Sequence, residues 1–73
     1  MMEYELCCEI FNQCSNNQMR DIAFDDISTD DVDAYMRSLE PHAEIEKETF
    51  SNGTLVYHTN AEGLRKRYSF TPI

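Results

Sequence analysis

The sequence predicts an α+β fold in which an antiparallel sheet of about five strands carries one helix packed on one face. Three observations support this prediction. The N-terminal residues alternate between apolar and polar side chains, a central segment repeats apolar residues at helical spacing, and two glycine-containing turns divide the last third of the chain into strands. The predicted element order is β-β-α-β-β-β, within a single domain over residues 1–73.

Residues 2–11 form the clearest predicted strand, because their apolar and acidic side chains fall on opposite faces. The apolar face carries Met2, Tyr4, Leu6, Cys8 and Ile10. The polar segment Asn12–Gln18 is predicted to be a loop, and residues 20–27 to be a second strand with Ile22 and Phe24 on one face. Because the predicted loop is longer than an ordinary hairpin connection, it is also a candidate binding loop.

One amphipathic helix is predicted after the second strand. Ser28 is a suitable N-cap, and Asp31 three residues later completes a pattern similar to a capping box. Apolar side chains then recur at i, i+3, i+4 and i+7, which places them on one stripe of a helix. These residues are Val32, Tyr35, Met36 and Leu39. Pro41 disfavours helical geometry at the residue before it, so the helix is predicted to end near Leu39.

The last third of the chain is predicted to be a three-stranded meander. Asn52–Gly53 favours a type I′ turn, because both residue types tolerate positive φ, and this turn would pair Phe50 with Leu55. A second turn at residues 60–63 would pair Leu55 with Tyr68. One face of the meander would then carry Phe50, Leu55, Tyr57, Leu64, Tyr68 and Phe70, and the other Lys47, Val56, His58, Arg65 and Arg67.

Composition restricts the functional classes. The formal net charge of −8 argues against general binding to nucleic acid, where neutralisation of phosphates supplies most of the affinity. No apolar run is long enough to cross a membrane, and the acidic start Met-Met-Glu-Tyr-Glu does not resemble a secretory signal. An odd number of cysteines fits a reducing compartment. We therefore expect a cytoplasmic protein that binds neither membranes nor, in general, nucleic acids.

A dense acidic segment is the first candidate binding surface. It consists of Asp21, Asp25, Asp26, Asp30, Asp31 and Asp33. The last three fall in the predicted first helical turns, where the helix dipole favours negative charge. The segment lacks the ligand spacing and the central glycine of a calcium-binding loop. It is therefore interpreted either as solvated surface or as a surface that a basic protein partner recognises.

The alternative binding surface is basic. Lys47, His58, Arg65 and Arg67 are predicted to lie together on the polar face of the meander, where they could hold an anion or an acidic segment of a partner. The face lacks the aromatic platform of single-stranded RNA binders. Ion pairs with neighbouring glutamates are the alternative interpretation of these residues.

Three cysteines allow a different function, that of a metal-binding or redox protein. Cys7 and Cys8 are predicted to point to opposite faces of their strand, and Cys14 falls in the predicted loop as the most exposed thiol. This spacing differs from the closely spaced Cys and His pairs of a structural zinc site. We therefore predict that the protein has no cofactor. If it is a metal-binding or redox protein instead, the site would consist of Cys7, Cys8 and Cys14.

The sequence contains no recognisable catalytic constellation. Two glycines are too few for a glycine-rich phosphate loop, and neither histidine stands in a context that indicates a Ser or Cys nucleophile. We therefore predict a non-enzymatic interaction module, an accessory, regulatory or inhibitory protein with a protein partner. A narrower version of this hypothesis is an inhibitor of the phage type that imitates the charge of nucleic acid with its aspartates.

Overall fold

The computed structural model describes residues 2–14 and 17–73, and the side chains of residues 2–11 and 21–73. The strands in this part are β1 (Met2–Cys14), β2 (Asn17–Thr29), β3 (Glu44–Thr49), β4 (Leu55–Ala61) and β5 (Leu64–Pro72), and the helix α1 (Val32–Leu39) lies between β2 and β3. The strands form one antiparallel sheet in the order β2-β1-β5-β4-β3. The predicted α+β fold and its element order are therefore confirmed.

The helix connects the two edges of the sheet, since β2 and β3 are the outermost strands. It therefore crosses one face, which we call the covered face, and leaves the other, the open face, without a second layer. The buried core consists of Tyr4, Leu6, Val32, Met36, Tyr57, Tyr68 and Phe70. Phe70 is fully buried at its centre and makes edge-to-face contacts with three tyrosine rings at centroid distances of 5.5 to 6.4 Å.

The β1–β2 hairpin is longer than the sequence predicts. Its register runs to Cys14 opposite Asn17, so the predicted loop over Asn12–Gln18 is wrong, and β2 extends beyond the predicted residues 20–27 at both ends. β5 pairs with β1 only as far as Phe11, so the two strands continue alone beyond the sheet. A two-stranded ribbon has no core face to fill, so a polar composition is compatible with strand pairing there. Residues 15 and 16 lie outside the described part of the chain.

The helix begins three residues later than a cap at Ser28 implies. Ser28 pairs with Glu3 inside β2, and Asp31 is the N-cap, with its Oδ1 accepting a hydrogen bond from the Ala34 amide at 3.1 Å. Val32 and Met36 of the predicted stripe are buried, whereas Leu39 is 41% exposed. The helix ends at Leu39, as the proline two residues later predicts.

Both turns of the meander differ from the predicted turns. Phe50 bonds to Thr54 across a three-residue connection in which only Gly53 has positive φ (88°), so the type I′ turn predicted at Asn52–Gly53 is wrong. The Asn52 side chain accepts a hydrogen bond from the Thr54 amide at 3.0 Å, which stabilises this alternative turn. The two-residue connection with positive φ at both positions is instead Glu62–Gly63.

The observed turns displace the pairing registers of the two hairpins by different numbers of residues. The first hairpin is displaced by one residue, so Leu55 lies opposite Thr49 instead of Phe50, and every β3 side chain changes face. Lys47 therefore lies on the covered face opposite Tyr57. The second hairpin is displaced by two residues, which pairs Leu55 with Phe70 and leaves the predicted faces of β4 and β5 unchanged.

Candidate functional site

The acidic segment divides into aspartates that maintain the fold and aspartates that do not. Asp31 caps the helix, and Asp33 in the first helical turn accepts hydrogen bonds from the Tyr57 hydroxyl and from Lys47. These two bonds, that from Tyr57 first, lower the pKa of Asp33. Lys47 also lies 5.7 Å from the centre of the Tyr57 ring. We call this group, Asp33 with Tyr57 and Lys47, the Asp33 clasp.

A second clasp holds the other end of the helix, and sequence reasoning missed it. Glu40, the C-cap residue, accepts hydrogen bonds from Lys66 Nζ at 2.9 Å and from the Tyr68 hydroxyl at 2.7 Å. Burial opposes ionisation of Glu40, but the bonds from Tyr68 and Lys66 outweigh it and lower the pKa of the carboxyl. The available signal was spacing, because Asp33 and Glu40 are seven residues apart and so lie on the same side of a helix.

Tyr57 and Tyr68 form a cross-strand pair, so the two clasps sit on neighbouring strands beneath the helix. In each clasp a tyrosine and a lysine of the sheet are joined to a carboxylate of the helix. Burial, followed by the bond to the carboxylate, raises the pKa of each tyrosine. These contacts dock the helix, and their polar groups are occupied by one another. The clasps are therefore structural, and Asp33 is unsuitable as a binding residue.

Asp25 and Asp26 remain at the edge strand β2 with a different character. They lie opposite Leu6 and Glu5 of β1, so they point to the covered and the open side of the sheet respectively. Both are exposed, and no hydrogen bond or ion pair within the described chain engages either one. Asp21 and Asp30, which are also exposed, do take part in interactions. Asp25 and Asp26 are thus the carboxylates of the acidic segment that are available to a partner.

The predicted basic surface is smaller than expected and is partly neutralised. Lys47 is absent from the open face because of the register change in β3, whereas His58, Arg65 and Arg67 are there. Arg67 donates a hydrogen bond to Glu9, whose side chain is only 10% exposed. His58 lies 3.0 Å from Glu48. The ion-pair interpretation of this face is therefore correct for Arg67.

Cys7 and Cys8 occupy separate environments, and Cys14 lies further along the same strand. Cys8 packs partly against the core, as predicted, and Cys7 lies on the other face, opposite Phe24 and Ser69. Burial raises the pKa of both thiols, and Glu9 raises that of Cys7 further, so thiolate formation is disfavoured. β1 continues to Cys14, which places its backbone about 20 Å along the strand from Cys8. This geometry does not support one site that contains all three; the Cys14 side chain lies outside the described residues.

An exposed apolar pair on the open face is the feature that sequence reasoning did not single out. Ile22 and Phe24 are 47% and 69% exposed. They share a face, as their spacing predicts, but lie opposite Glu9 and Cys7, which places them away from the core. Ile22 and Phe24 are exposed because they lie beside the acidic face of β1, on the side of the sheet away from the core.

A shallow, open depression of about 280 Å³ lies at the β2 end of the sheet. Its lining residues are Glu3, Asp26, Ile27, Ser28 and Ile73. It brings together two carboxylates but neither a histidine nor a cysteine, and its openness would leave a small molecule in contact with water. We therefore interpret the depression as an ordinary irregularity of the surface beside Asp26 and not as a binding pocket.

Residues 2–14 and 17–73 contain no helix long and apolar enough to cross a membrane. In the same residues, no group of three or more His, Cys, Asp or Glu side chains is placed to hold a metal ion. Comparison of the chain with protein-family models, with curated proteins and with solved structures returns no match. The functional argument therefore rests on the surface of the molecule itself.

Proposed function

We propose that this protein is a small cytoplasmic interaction module that acts by binding a basic region of another protein, and not by catalysis. Its role would be that of an accessory, regulatory or inhibitory protein. The binding surface we propose is the exposed part of β2 around Asp25 and Asp26. A net charge of −8 would attract a basic partner over distance and favour a rapid encounter.

The observation that carries this proposal is the unequal use of charge in the fold. Lys47, Lys66 and Arg67 are each joined to a carboxylate, so their charge is compensated within the molecule. Asp25 and Asp26 have no such partner among the described residues and stand at the sheet edge. These two exposed carboxylates add to the negative charge of an already acidic protein, in which like charges repel. Binding a cationic partner would relieve that repulsion.

The alternatives receive less support. A metal or redox protein would need cysteines that act together, and Cys7 and Cys8 point to opposite faces with raised pKa values. Imitation of nucleic-acid charge is a special case of binding a basic partner. It would use the same aspartates, and the identity of the partner would distinguish it.

Affinity capture from the native host tests the proposal. Wild-type protein and Asp25→Asn/Asp26→Asn are used as parallel baits, and the captured proteins are compared by quantitative mass spectrometry. Glu44→Gln/Glu46→Gln is the matched control, because it removes two exposed carboxylates from the opposite edge of the sheet. We expect a basic protein that wild type and control capture equally and that binds Asp25→Asn/Asp26→Asn about fivefold more weakly in calorimetry, with affinity falling as salt is added.

Full affinity in Asp25→Asn/Asp26→Asn, together with loss of binding in Arg65→Ser, would contradict the proposal and favour the basic surface. Arg65 is suitable for this comparison because it is exposed on the open face. Arg67 is not, because it pairs with the Glu9 carboxylate, which is only 10% exposed, and its removal would disturb that partly buried ion pair. If the captured protein binds nucleic acid and DNA competes for it, the nucleic-acid-imitating version is favoured.

A further inference from the structure

β2 lies at one edge of the sheet, and its outer side is not paired with another strand of the described sheet. Its inner side is hydrogen-bonded to β1. The backbone N–H and C=O groups along that outer side alternate with those that face β1, so they are available to pair with an added strand. Residues 21–29 of this edge extend for about 30 Å.

Proteins usually protect such edges with lysines, prolines, bulges or a covering element. The opposite edge, β3, follows this pattern, because it is six residues long and four of them are charged. Residues 21–29 contain neither lysine nor proline, and every side chain from Asp21 to Asp26 is exposed. Two of these side chains are large and apolar, Ile22 and Phe24. Residues 21–29 do carry three aspartates, but this edge is longer than β3 and also exposes two large apolar side chains, so it is less protected than β3.

The side chains beside this edge specify what would pair with it. Ile22 and Phe24 lie on the open-face side, where an added strand would gain apolar contacts from every second residue. Asp25 lies on the covered-face side, where the same strand would place the intervening residues. A strand that alternates apolar and basic residues satisfies both sides. A second copy of this chain fits less well, because each copy carries a net charge of −8.

We propose that the outer edge of β2, over residues 21–29, accepts an extended basic segment of a partner protein as a sixth strand of the sheet. This inference rests on the proposed function and specifies its binding mode. Backbone hydrogen bonds supply the affinity, the two apolar side chains fix the face, and Asp25 on the other side selects for basic residues, while Asp26 adds to the negative charge of the edge. The occupied edge would also be protected from uncontrolled pairing.

The test uses a nine-residue peptide of alternating Lys and Val as the probe. Its binding to the whole protein is followed by fluorescence anisotropy, and amide hydrogen exchange by NMR locates the contact. We expect slower exchange at alternate amides of residues 21–29. The matched peptide control carries N-methyl groups at alternate residues, which preserves charge and side chains but removes strand pairing. We expect it to bind at least about tenfold more weakly.

Two protein variants separate the contribution of the apolar side chains from that of the aspartates. Ile22→Thr/Phe24→Thr keeps strand-forming residues but removes apolar surface, and should weaken the Lys-Val peptide about fivefold. Asp25→Asn/Asp26→Asn should weaken it by a similar factor at low salt, whereas Glu44→Gln/Glu46→Gln should change it less than about twofold.

Each remaining outcome has a distinct meaning. Equal binding of the N-methylated peptide, or protection at residues 44–49 instead of 21–29, would overturn strand addition at β2 while leaving a charge-based interaction possible. Absence of peptide binding, or sedimentation showing that β2 is already occupied by a second copy, would overturn it as well. If the N-methyl effect holds but Asp25→Asn/Asp26→Asn binds normally, strand addition stands and the charge-based function we propose is wrong.

Discussion

The two faces of the sheet differ in what their side chains do. On the covered face, a helix of about 12 Å closes over a core centred on Phe70, and a clasp at each end ties it to the sheet. On the open face, ion pairs such as Arg67–Glu9 lie next to the exposed Ile22 and Phe24. Most of the buried core therefore lies on the covered face, and the exposed Ile22 and Phe24 of the open face are not part of it. A binding surface is best placed where its residues are not needed to hold the fold together.

Matched substitutions of phenylalanine on the two faces should give the largest difference. Phe70→Ala removes the ring that three tyrosines contact and should destabilise the protein by about 3–5 kcal/mol, enough to unfold a domain of this size. Phe24→Ala removes a ring that is 69% exposed and should change the free energy of unfolding by less than about 0.5 kcal/mol. Urea denaturation followed by circular dichroism measures both. Similar losses in the two variants would mean that Phe24 is packed in solution and that the open face is covered.

The assignment of residues to faces depends on the turns, so a turn variant tests it. Gly63 has a φ of 81°, and a Cβ placed there would meet no atom within 4 Å. Gly63→Val should therefore cost about 1–2 kcal/mol through backbone strain alone, whereas Gly63→Asn, which tolerates positive φ, should cost about half as much or less. Thermal unfolding of the two variants gives the comparison. Equal stability of Gly63→Val and wild type would contradict the type I′ turn and the β4–β5 register.

Local periodicity was sufficient to predict the fold. Alternation in β1 and the i, i+3, i+4 spacing around Met36 specify which side chains face the core, and both patterns are found in the structure. The turn types were not predictable in the same way. Asn52 is suited to a type I′ turn, but its side chain accepts a hydrogen bond from the Thr54 amide within a three-residue connection, and the resulting one-residue change of register places Lys47 on the other face.

The candidate site required information that is not local. Ile22 and Phe24 have the spacing of a core-facing pair, and their exposure depends on lying opposite Glu9 and Cys7. The sequence of β2 alone does not contain that pairing. Similarly, Asp33 is engaged because the helix places it over Tyr57 and the β3–β4 register brings Lys47 beside it. Charge density singled out the acidic segment, and three-dimensional contacts separated the aspartates that maintain the fold from those that are exposed and unengaged.

The smallest expected effect concerns how the clasps respond to pH. The carboxyl of Glu40 has a pKa below its ordinary value of 4.5, so it stabilises the fold when ionised. A group whose pKa is lower in the folded state contributes stability above its unfolded pKa and loses it as the pH falls through the folded value. Wild-type protein should therefore lose this contribution progressively as the pH falls below 4.5, the ordinary pKa of the carboxyl.

Glu40→Gln should be less stable than wild type at pH 7, and the difference should shrink as the pH falls below 4.5 and through the lowered pKa of the folded-state carboxyl. Protonation of the other carboxylates also makes the net charge of −8 less negative, and the weaker repulsion between like charges would stabilise the folded protein. Glu44→Gln controls for it, because Glu44 is an exposed residue on the open side of β3. Urea midpoints across this pH range should converge for Glu40→Gln and wild type, and should stay parallel for Glu44→Gln and wild type. Parallel curves for Glu40→Gln would show that the Glu40 clasp does not stabilise the covered face through its charge.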